Sequence, residues 1–135
     1  MTKCNAPCTA CPYIMEGSTI TKTRKLWEIQ KNLNCNSENI VYMIECQKDN
    51  CRKRYIGQTE RKLSDRFSEH RGYVNRKILS QPTGHHFNSP GHSISDMKIT
   101  VIEKIKKNDK SYREERETYF IALFNTFYRG MNKKA

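Results

Sequence analysis

The 135-residue chain carries 25 lysines and arginines against 14 aspartates and glutamates, a formal net charge of +11. This length suits one compact domain with a small appendage, and a hydrophobic fraction of 36% limits the size of the core. The chain shows no apolar signal-peptide core and no apolar run long enough to span a bilayer, which argues against a secreted or membrane protein.

Cysteines are frequent, with six in the chain. In a reducing compartment such clusters indicate metal binding more often than disulfides, whereas a secreted protein would form three disulfides instead. Four of the cysteines lie in an N-terminal arm, residues 1–38. They are Cys4, Cys8, Cys11 and Cys35. Four thiolates can form a tetrahedral zinc site. The long gap before the last of them leaves free thiols as the alternative.

Leu26 and Trp27 are two adjacent large apolar residues in the second half of the arm. Apolar side chains in a polar segment gain free energy when they pack against a neighbouring core. We therefore expect these two residues to dock the arm on the main domain.

Three segments have the β-branched or alternating pattern of strands: residues 39–45, 53–57 and 98–105. The first two are separated by a short polar loop and predict a hairpin, with Gly57 at the end of its second strand. Residues 80–96 contain two prolines and two glycines and predict a loop.

Two helices complete the pattern. Thr59 is the predicted N-cap of a helix over residues 60–79. Its predicted buried stripe is Leu63, Phe67, Val74 and Ile78. Ser111 and Glu114 have the spacing of a capping box, so a second helix is predicted from there to Phe124. Its predicted apolar face is Tyr119, Phe120, Leu123 and Phe127. The predicted fold is α+β, with a small three-stranded antiparallel or mixed sheet flanked by helices.

Positive charge is concentrated around the hairpin and the first helix. From Arg52 to Lys77 there are nine basic residues against Glu60, Asp65 and Glu69. Such a cluster favours nucleic acid, because lysine and arginine neutralise phosphates and release counterions. The alternative interpretation is an ordinary solvated surface.

An ordered set of residues resembles the GIY-YIG nuclease domain. The set comprises Ile40-Val41-Tyr42, Tyr55-Ile56-Gly57, Arg66, His70, a later glutamate and an asparagine. The resemblance extends over roughly residues 39–133, so the chain divides into the arm, 1–38, and a nuclease domain, 39–135. It departs from the family pattern at Ile40, where most members have glycine.

Within the family, the chain is most similar to the endonuclease of Penelope-like retroelements. That branch has cysteines between the two tyrosine strands, here Cys46 and Cys51. It also has a later His-Phe-Asn and Gly-His, here at His86-Phe87-Asn88 and Gly91-His92.

The resemblance implies that Tyr42 is the general base and that Tyr55 positions water or phosphate beside it. Arg66 and His70 are four residues apart, so on a helix they share a face and both reach one phosphate. Glu117 is the implied ligand of a catalytic Mg²⁺ or Mn²⁺ ion, since hard cations take carboxylate oxygen.

Other residues compete for two of these assignments. Glu114 and Glu115 are the rival acids, but the first fits the capping box and the second a solvated position. The family's closing asparagine best matches Asn132, with Asn125 as the second choice.

A structural zinc site is predicted from residues of the hairpin loop and the proline-rich loop. The ligands are two thiolates, Cys46 and Cys51, and two imidazoles, His86 and His92, with His85 as the alternative to His86. Zinc bound there would join the two loops and add folding energy to a thin core.

The sequence therefore predicts a metal-dependent DNA endonuclease that nicks one strand by water attack, located in the nucleus. The Penelope-like resemblance implies a reverse transcriptase domain or element RNA as a partner, and no membrane is expected. One alternative is a zinc-dependent nucleic-acid-binding module with a silent nuclease site. The other is a secreted, disulfide-rich basic protein.

Overall fold

The computed structural model describes residues 1–6, 8–22 and 25–133. The strands are β1 (Thr19–Lys22), β2 (Lys25–Glu28), β3 (Ile40–Cys46), β4 (Arg54–Thr59) and β5 (Met97–Lys104). The helices are α1 (Leu63–Asn75), α2 (Pro82–His86), α3 (Lys110–Leu123) and α4 (Thr126–Arg129). No helix within these ranges is both long and apolar enough for a membrane span.

The main sheet has three antiparallel strands in the order β4-β3-β5. Every residue of β3 is buried, since the strand has a neighbour at both edges and helices nearby. This central position explains its continuous apolar run, which is typical of a strand covered on both faces. The architecture is α+β, as the sequence predicted.

Helices α1 and α3 contact side chains that alternate along β3 and β4. Tyr42 in β3 pairs with Gly57 in β4, and the Tyr42 side chain contacts His70 of α1. The next residue, Gln58, accepts a hydrogen bond from Arg113 of α3. Successive strand residues point to opposite faces, so α1 and α3 cover opposite faces of the sheet.

The start of α1 differs from the prediction. Thr59 is not an N-cap: it is the last residue of β4, paired with Ile40. The helix begins at Leu63 and ends at Asn75. Its first N–H groups are bonded by the arm, since Leu63 N donates to Ser37 O and Ser64 N to Cys35 O. Strand pairing and this tertiary cap override the local threonine signal.

The predicted capping box of α3 is wrong. The N-cap is Asp109, whose carboxylate accepts a hydrogen bond from Tyr112 N. On the predicted apolar face Phe120 is buried, but Tyr119 is 44% exposed. The helix therefore starts one residue before Ser111.

The segment 80–96 is more ordered than predicted. It contains the short helix α2, with Pro82 as its first residue, and a 3-10 turn at Ile94–Asp96. Proline is favoured in the first turn of a helix because the missing N–H has no intrahelical partner there.

The arm packs on the main sheet and shares its hydrophobic core. Strands β1 and β2 form an antiparallel hairpin, and Trp27 in β2 donates a hydrogen bond to Ile102 O. Trp27 also lies edge-on to Phe120, as expected of a docking residue. Leu26 was wrongly predicted to dock, since it is 61% exposed.

Candidate active site

Strands β3 and β4 bring Tyr42 and Tyr55 together. Tyr42 pairs with Gly57 and Tyr55 with Ile44, so the two tyrosines are diagonal neighbours on one face of the sheet. Their ring centroids are 6.4 Å apart. Antiparallel pairing of two tyrosine-bearing strands is thus enough to place both phenols at one site.

Gly57 lies within β4, not at its end as predicted. A Cβ atom on this residue would lie 2.3 Å from the phenolic oxygen of Tyr42. Glycine is therefore required here because the Tyr42 side chain passes directly over the backbone of the neighbouring strand.

Substituting Gly57→Ala is expected to lower nicking activity at least about 100-fold, because the new methyl group displaces the Tyr42 phenol, and to destabilise the fold by about 1–3 kcal/mol. Plasmid nicking and thermal unfolding measure the two effects. The control is Gly72→Ala in α1, where the added Cβ meets only the flexible end of Arg76 at 3.0 Å. Wild-type nicking by Gly57→Ala would contradict this account of Tyr42.

Helix α1 supplies two partners for the Tyr42 oxygen. Arg66 Nε donates to it at 2.9 Å, and His70 Nε2 lies 2.7 Å from it. The spacing of four residues places both side chains on one helix face, as the sequence predicted. Arg66 also contacts Glu69 at 3.2 Å and Tyr73 Oη at 3.5 Å.

The site strongly affects protonation. Burial raises the pKa of Tyr42 well above its ordinary value, and the neighbouring Tyr55 and Glu117 act in the same direction. Arg66 opposes this rise through its charge and its hydrogen bond. Burial, together with the charge of Arg66, lowers the pKa of His70 to about 3. His70 is therefore a neutral imidazole at physiological pH.

Glu117 is half-buried on α3. Its charge raises the pKa of both Tyr42 and Tyr55, which places the carboxylate within electrostatic range of both phenols. The rival acids Glu114 and Glu115 are exposed. A carboxylate is the hard oxygen donor that Mg²⁺ and Mn²⁺ prefer.

Asn132 holds the backbone of β4. Its Oδ1 accepts from Ile56 N at 2.8 Å, and its Nδ2 donates to Ile56 O at 2.9 Å. Ile56 lies between Tyr55 and Gly57, so these contacts position the strand that carries the second phenol. The second-choice residue, Asn125, has a positive φ of 53° at the start of α4 and is exposed.

The predicted zinc site of two cysteines and two histidines is assembled from separate elements. Its ligand atoms lie within 4.8 Å of one another and belong to Cys46, Cys51, His86 and His92. His92 Nε2 is buried without a hydrogen-bond partner in the part of the chain that the structure describes. His85, the alternative to His86, is exposed. Two sulfurs and two imidazoles at this spacing fit zinc, and the buried His92 nitrogen is accounted for if it is a ligand.

Two of the four groups, His86 and Cys51, are shifted towards the protonation states that bind zinc, whereas burial raises the pKa of the Cys46 thiol to about 11. Burial and the charge of His92 lower the pKa of His86 to about 4, so His86 is neutral. Burial opposes ionisation of Cys51, but a hydrogen bond from Lys53 N and the charge of His92 lower the pKa of its thiol. Neutral imidazole and thiolate are the forms that bind zinc.

The arm cysteines form a second compact group. Their sulfur atoms all lie within 4.8 Å of one another in Cys4, Cys8, Cys11 and Cys35. The separation is 2.9 Å between Cys8 and Cys11 and 3.6 Å between Cys11 and Cys35. A tetrahedral zinc with Zn–S bonds of about 2.3 Å requires a similarly close set of four sulfurs. All six cysteines are free among the described residues, so the structure does not show the disulfides of the alternative, secreted interpretation.

Tyr73 and Thr83 were not predicted as site residues. Tyr73 is seven residues after Arg66 on α1, so helical spacing could have identified it. Thr83 contacts His70 Nδ1 at 2.7 Å, but it lies in the segment predicted as a loop, and no local signal marked it.

Comparisons with known proteins identify the family and the fold. The family model described as the GIY-YIG catalytic domain matches residues 38–132. A solved structure, the catalytic domain of homing endonuclease I-TevI, superposes with a TM-score of 0.59 at 21% sequence identity. The match covers 70% of this chain and 97% of that one, and it concerns the fold. No curated protein shows a significant match.

Proposed function

Because the chain belongs to the GIY-YIG catalytic-domain family and is therefore a nuclease, we propose that it is a DNA endonuclease nicking one strand by water attack. The main support is the set of contacts around Tyr42. Its oxygen is held by Arg66 at 2.9 Å and lies 2.7 Å from His70, and the charge of Glu117 acts on it.

Hydrolysis requires Tyr42 in its phenolate form, which Arg66 and a divalent cation held by Glu117 would favour. A water oxygen then attacks the phosphorus and its proton passes to the Tyr42 oxygen. The bond from phosphorus to the 3′ oxygen breaks, which leaves a 5′-phosphate and a 3′-hydroxyl that takes its proton from solvent. Tyr55 orients the water or a phosphate oxygen. Arg66 is the cation that opposes the effect of burial on Tyr42 in part, and it stabilises charge on the phosphate.

Glu117 is the residue that would hold a divalent cation, Mg²⁺ or Mn²⁺. The chemistry such a cation supplies is neutralisation of the charge that develops on the phosphate and the departing oxygen. The half-buried Glu117 carboxylate would provide the oxygen ligand, and its electrostatic effect on both phenols supports this assignment.

We further propose that both cysteine-containing groups bind structural zinc. In each, four protein ligand atoms are close enough to surround one ion, which leaves no open position for substrate. The Cys46-Cys51-His86-His92 group would join the β3–β4 loop to α2, and the arm group would fix the loop that caps α1.

The cysteines between the tyrosine strands and the two later histidines support an origin in a Penelope-like retroelement. On that basis we propose a nuclear location, with a reverse transcriptase domain or element RNA as partner. The division into an arm, 1–38, and a nuclease domain, 39–135, is part of this proposal; residues 134–135 lie outside the described ranges.

The proposal is tested by plasmid nicking with Mg²⁺, Mn²⁺ or a chelator, using wild type, Tyr42→Phe and Arg66→Ala. Removal of a general base costs about 10²–10⁴-fold in rate, so Tyr42→Phe should lose activity by that factor. The matched control is Tyr112→Phe, since Tyr112 is 47% exposed and on α3. Undiminished nicking by Tyr42→Phe and Arg66→Ala would refute the site assignment.

The alternative, a DNA-binding module with a silent nuclease, gives a different result. Wild-type protein would then bind DNA with a steep salt dependence but would not nick it under any metal condition. Filter binding at several salt concentrations, run beside the nicking assay, separates the two functions.

A further inference from the structure

A cavity of about 320 Å³ lies where the β3–β4 hairpin, strand β1 and helix α4 meet. Its lining includes three arginines, Arg52, Arg54 and Arg129, against one carboxylate, that of Glu45. We call it the arginine cavity. An excess of positive charge in a concave site favours an anionic ligand, because the low-dielectric walls concentrate the field.

The arginine cavity is separate from the two phenols of the candidate active site. Arg54 and Tyr55 are consecutive in β4, so their side chains point to opposite faces of the sheet. Phe124 lines the cavity directly after the last residue of α3, seven residues beyond Glu117. At a rise of 1.5 Å per residue this is about 10 Å along the helix, the axial length of about three nucleotides of one DNA strand. The cavity is therefore within a few nucleotides of the proposed metal ligand.

Two of the arginines keep donors for a ligand. Arg129 is exposed, and its guanidinium makes no hydrogen bond or ion pair with the described residues. Arg52 donates one hydrogen bond, to Gln47 at 3.0 Å. Its ion pairs with Glu45 and Asp49 are longer, at 3.8 Å each. A guanidinium has five N–H groups in a planar fork that matches phosphate oxygens, so both arginines have donors to spare.

The acid in the cavity wall is already neutralised by its neighbours. Glu45 is 7% exposed, and its carboxylate accepts hydrogen bonds from Arg54 Nε and from Gln47 Nε2, each at 2.7 Å. Arg54 also donates to Thr21 O at 2.6 Å and to Thr21 Oγ1 at 2.9 Å. These contacts fix the wall and leave the charges of the other two arginines for a ligand.

The opposite wall is formed by α4 and the residues that follow it. A Cβ atom on Gly130 would lie 2.3 Å from Arg54 O, and Met131 N donates to the same oxygen at 2.8 Å. Thr126 also lines the cavity. It is 1% exposed, and its hydroxyl has no hydrogen-bond partner in the part of the chain that the structure describes. A buried hydroxyl without a partner is unfavourable, and an anion in the cavity would offer it an acceptor.

We propose that the arginine cavity binds a phosphate group of the DNA backbone through Arg52 and Arg129, a few nucleotides from the scissile bond. This inference rests on the proposed function, which makes DNA the ligand. Phosphate contacts fix the position of a protein on DNA without reading its sequence. The cavity thus helps to set which phosphate of the strand reaches Tyr42. Free phosphate has the same chemistry, and the test below separates the two sources.

The salt dependence of DNA binding tests the cavity without requiring cleavage. Filter binding of a duplex by the full chain in the presence of a chelator gives log K against log[salt], whose slope changes by about 0.9 for each phosphate contact. Arg129→Ala should weaken binding about 3- to 10-fold and make the slope shallower by about one. The double variant Arg52→Ala/Arg129→Ala should lose no further slope, because both side chains contact one phosphate. Arg129→Lys keeps the charge and should restore the slope.

Lys106→Ala is the control for charge alone. It removes one exposed positive charge beyond the end of β5 that is distant from the β3–β4 hairpin, so the slope should stay at the wild-type value. An equal loss of slope in Lys106→Ala overturns the proposal. So does a loss of about two in the double variant, which would indicate two independent surface contacts.

Two further measurements separate the ligand sources and the two proposals. In a ¹³C-detected spectrum of arginine Nε–Cζ groups, assigned with Arg129→Lys, the Arg129 signal should shift on addition of the duplex but not with inorganic phosphate at the same phosphate concentration. A shift with inorganic phosphate alone would refute the assignment to DNA. At saturating DNA, Arg129→Ala should nick with wild-type kcat and a raised KM. A wild-type protein that never nicks would refute the proposed function and leave the binding test of the cavity valid.

Discussion

Glu117→Gln should abolish metal-dependent nicking, with an expected loss of about 10³-fold or more. Glutamine keeps the size and hydrogen-bonding capacity of the side chain but removes the charge that a hard cation requires. Without that cation, the charge on the phosphate and the leaving oxygen is poorly neutralised. The measurement is the initial rate of plasmid nicking across a titration of Mg²⁺ and of Mn²⁺.

Glu115→Gln is the matched control, since it makes the same change two residues away at an exposed position of the same helix. It should nick at the wild-type rate. Both variants should bind DNA with wild-type affinity or slightly better, because each loses one negative charge. If the two glutamine variants lose activity equally, the loss reflects α3 and not a metal ligand.

Cys35→Ser should remove one zinc ion per molecule and strongly destabilise the fold. Cys35 has no exposed surface, and its carbonyl accepts the hydrogen bond from Ser64 N at the start of α1. Structural zinc contributes about 10–16 kcal/mol of apparent binding free energy in small zinc domains, which is as large as the stability of most domains. We expect the Cys35→Ser variant to be unfolded at 37 °C and to show no cooperative thermal transition.

Metal content by mass spectrometry and thermal unfolding test this result. Asn36→Ser is the control, because it changes the neighbouring, exposed residue. It should keep two zinc ions and the wild-type transition. A Cys35→Ser protein that retains both zinc ions and unfolds normally would show that the arm cysteines are only clustered thiols.

The sheet could be predicted because its strands have local signals. The sequence of the fully buried β3 is a nearly continuous apolar run, which predicts a strand, and β4 follows it after a polar loop. Ends of elements were less predictable, since they depend on partners distant in sequence. Thr59 pairs with Ile40 in the sheet, and the start of α1 is capped by the arm. Neither contact can be read from the residues around the helix start.

In the candidate site, too, residues with a local sequence signal were predicted and a residue that depends on a distant contact was not. The placement of Arg66 and His70 on one helix face was predicted from helical spacing, whereas their contacts with the Tyr42 oxygen were not. Thr83 was missed because α2 is one short helix inside a segment rich in proline and glycine. Its importance comes entirely from its contact with His70, thirteen residues away. The catalytic roles of these residues stay predictions.

Anomalous diffraction from crystals of Tyr42→Phe protein with DNA and Mn²⁺ tests the central claim most directly. The account predicts one manganese ion bound to the Glu117 carboxylate, with the scissile phosphate between that ion and the side chains of Tyr55 and Arg66. A manganese ion bound elsewhere, with the phosphate away from these side chains, would contradict it.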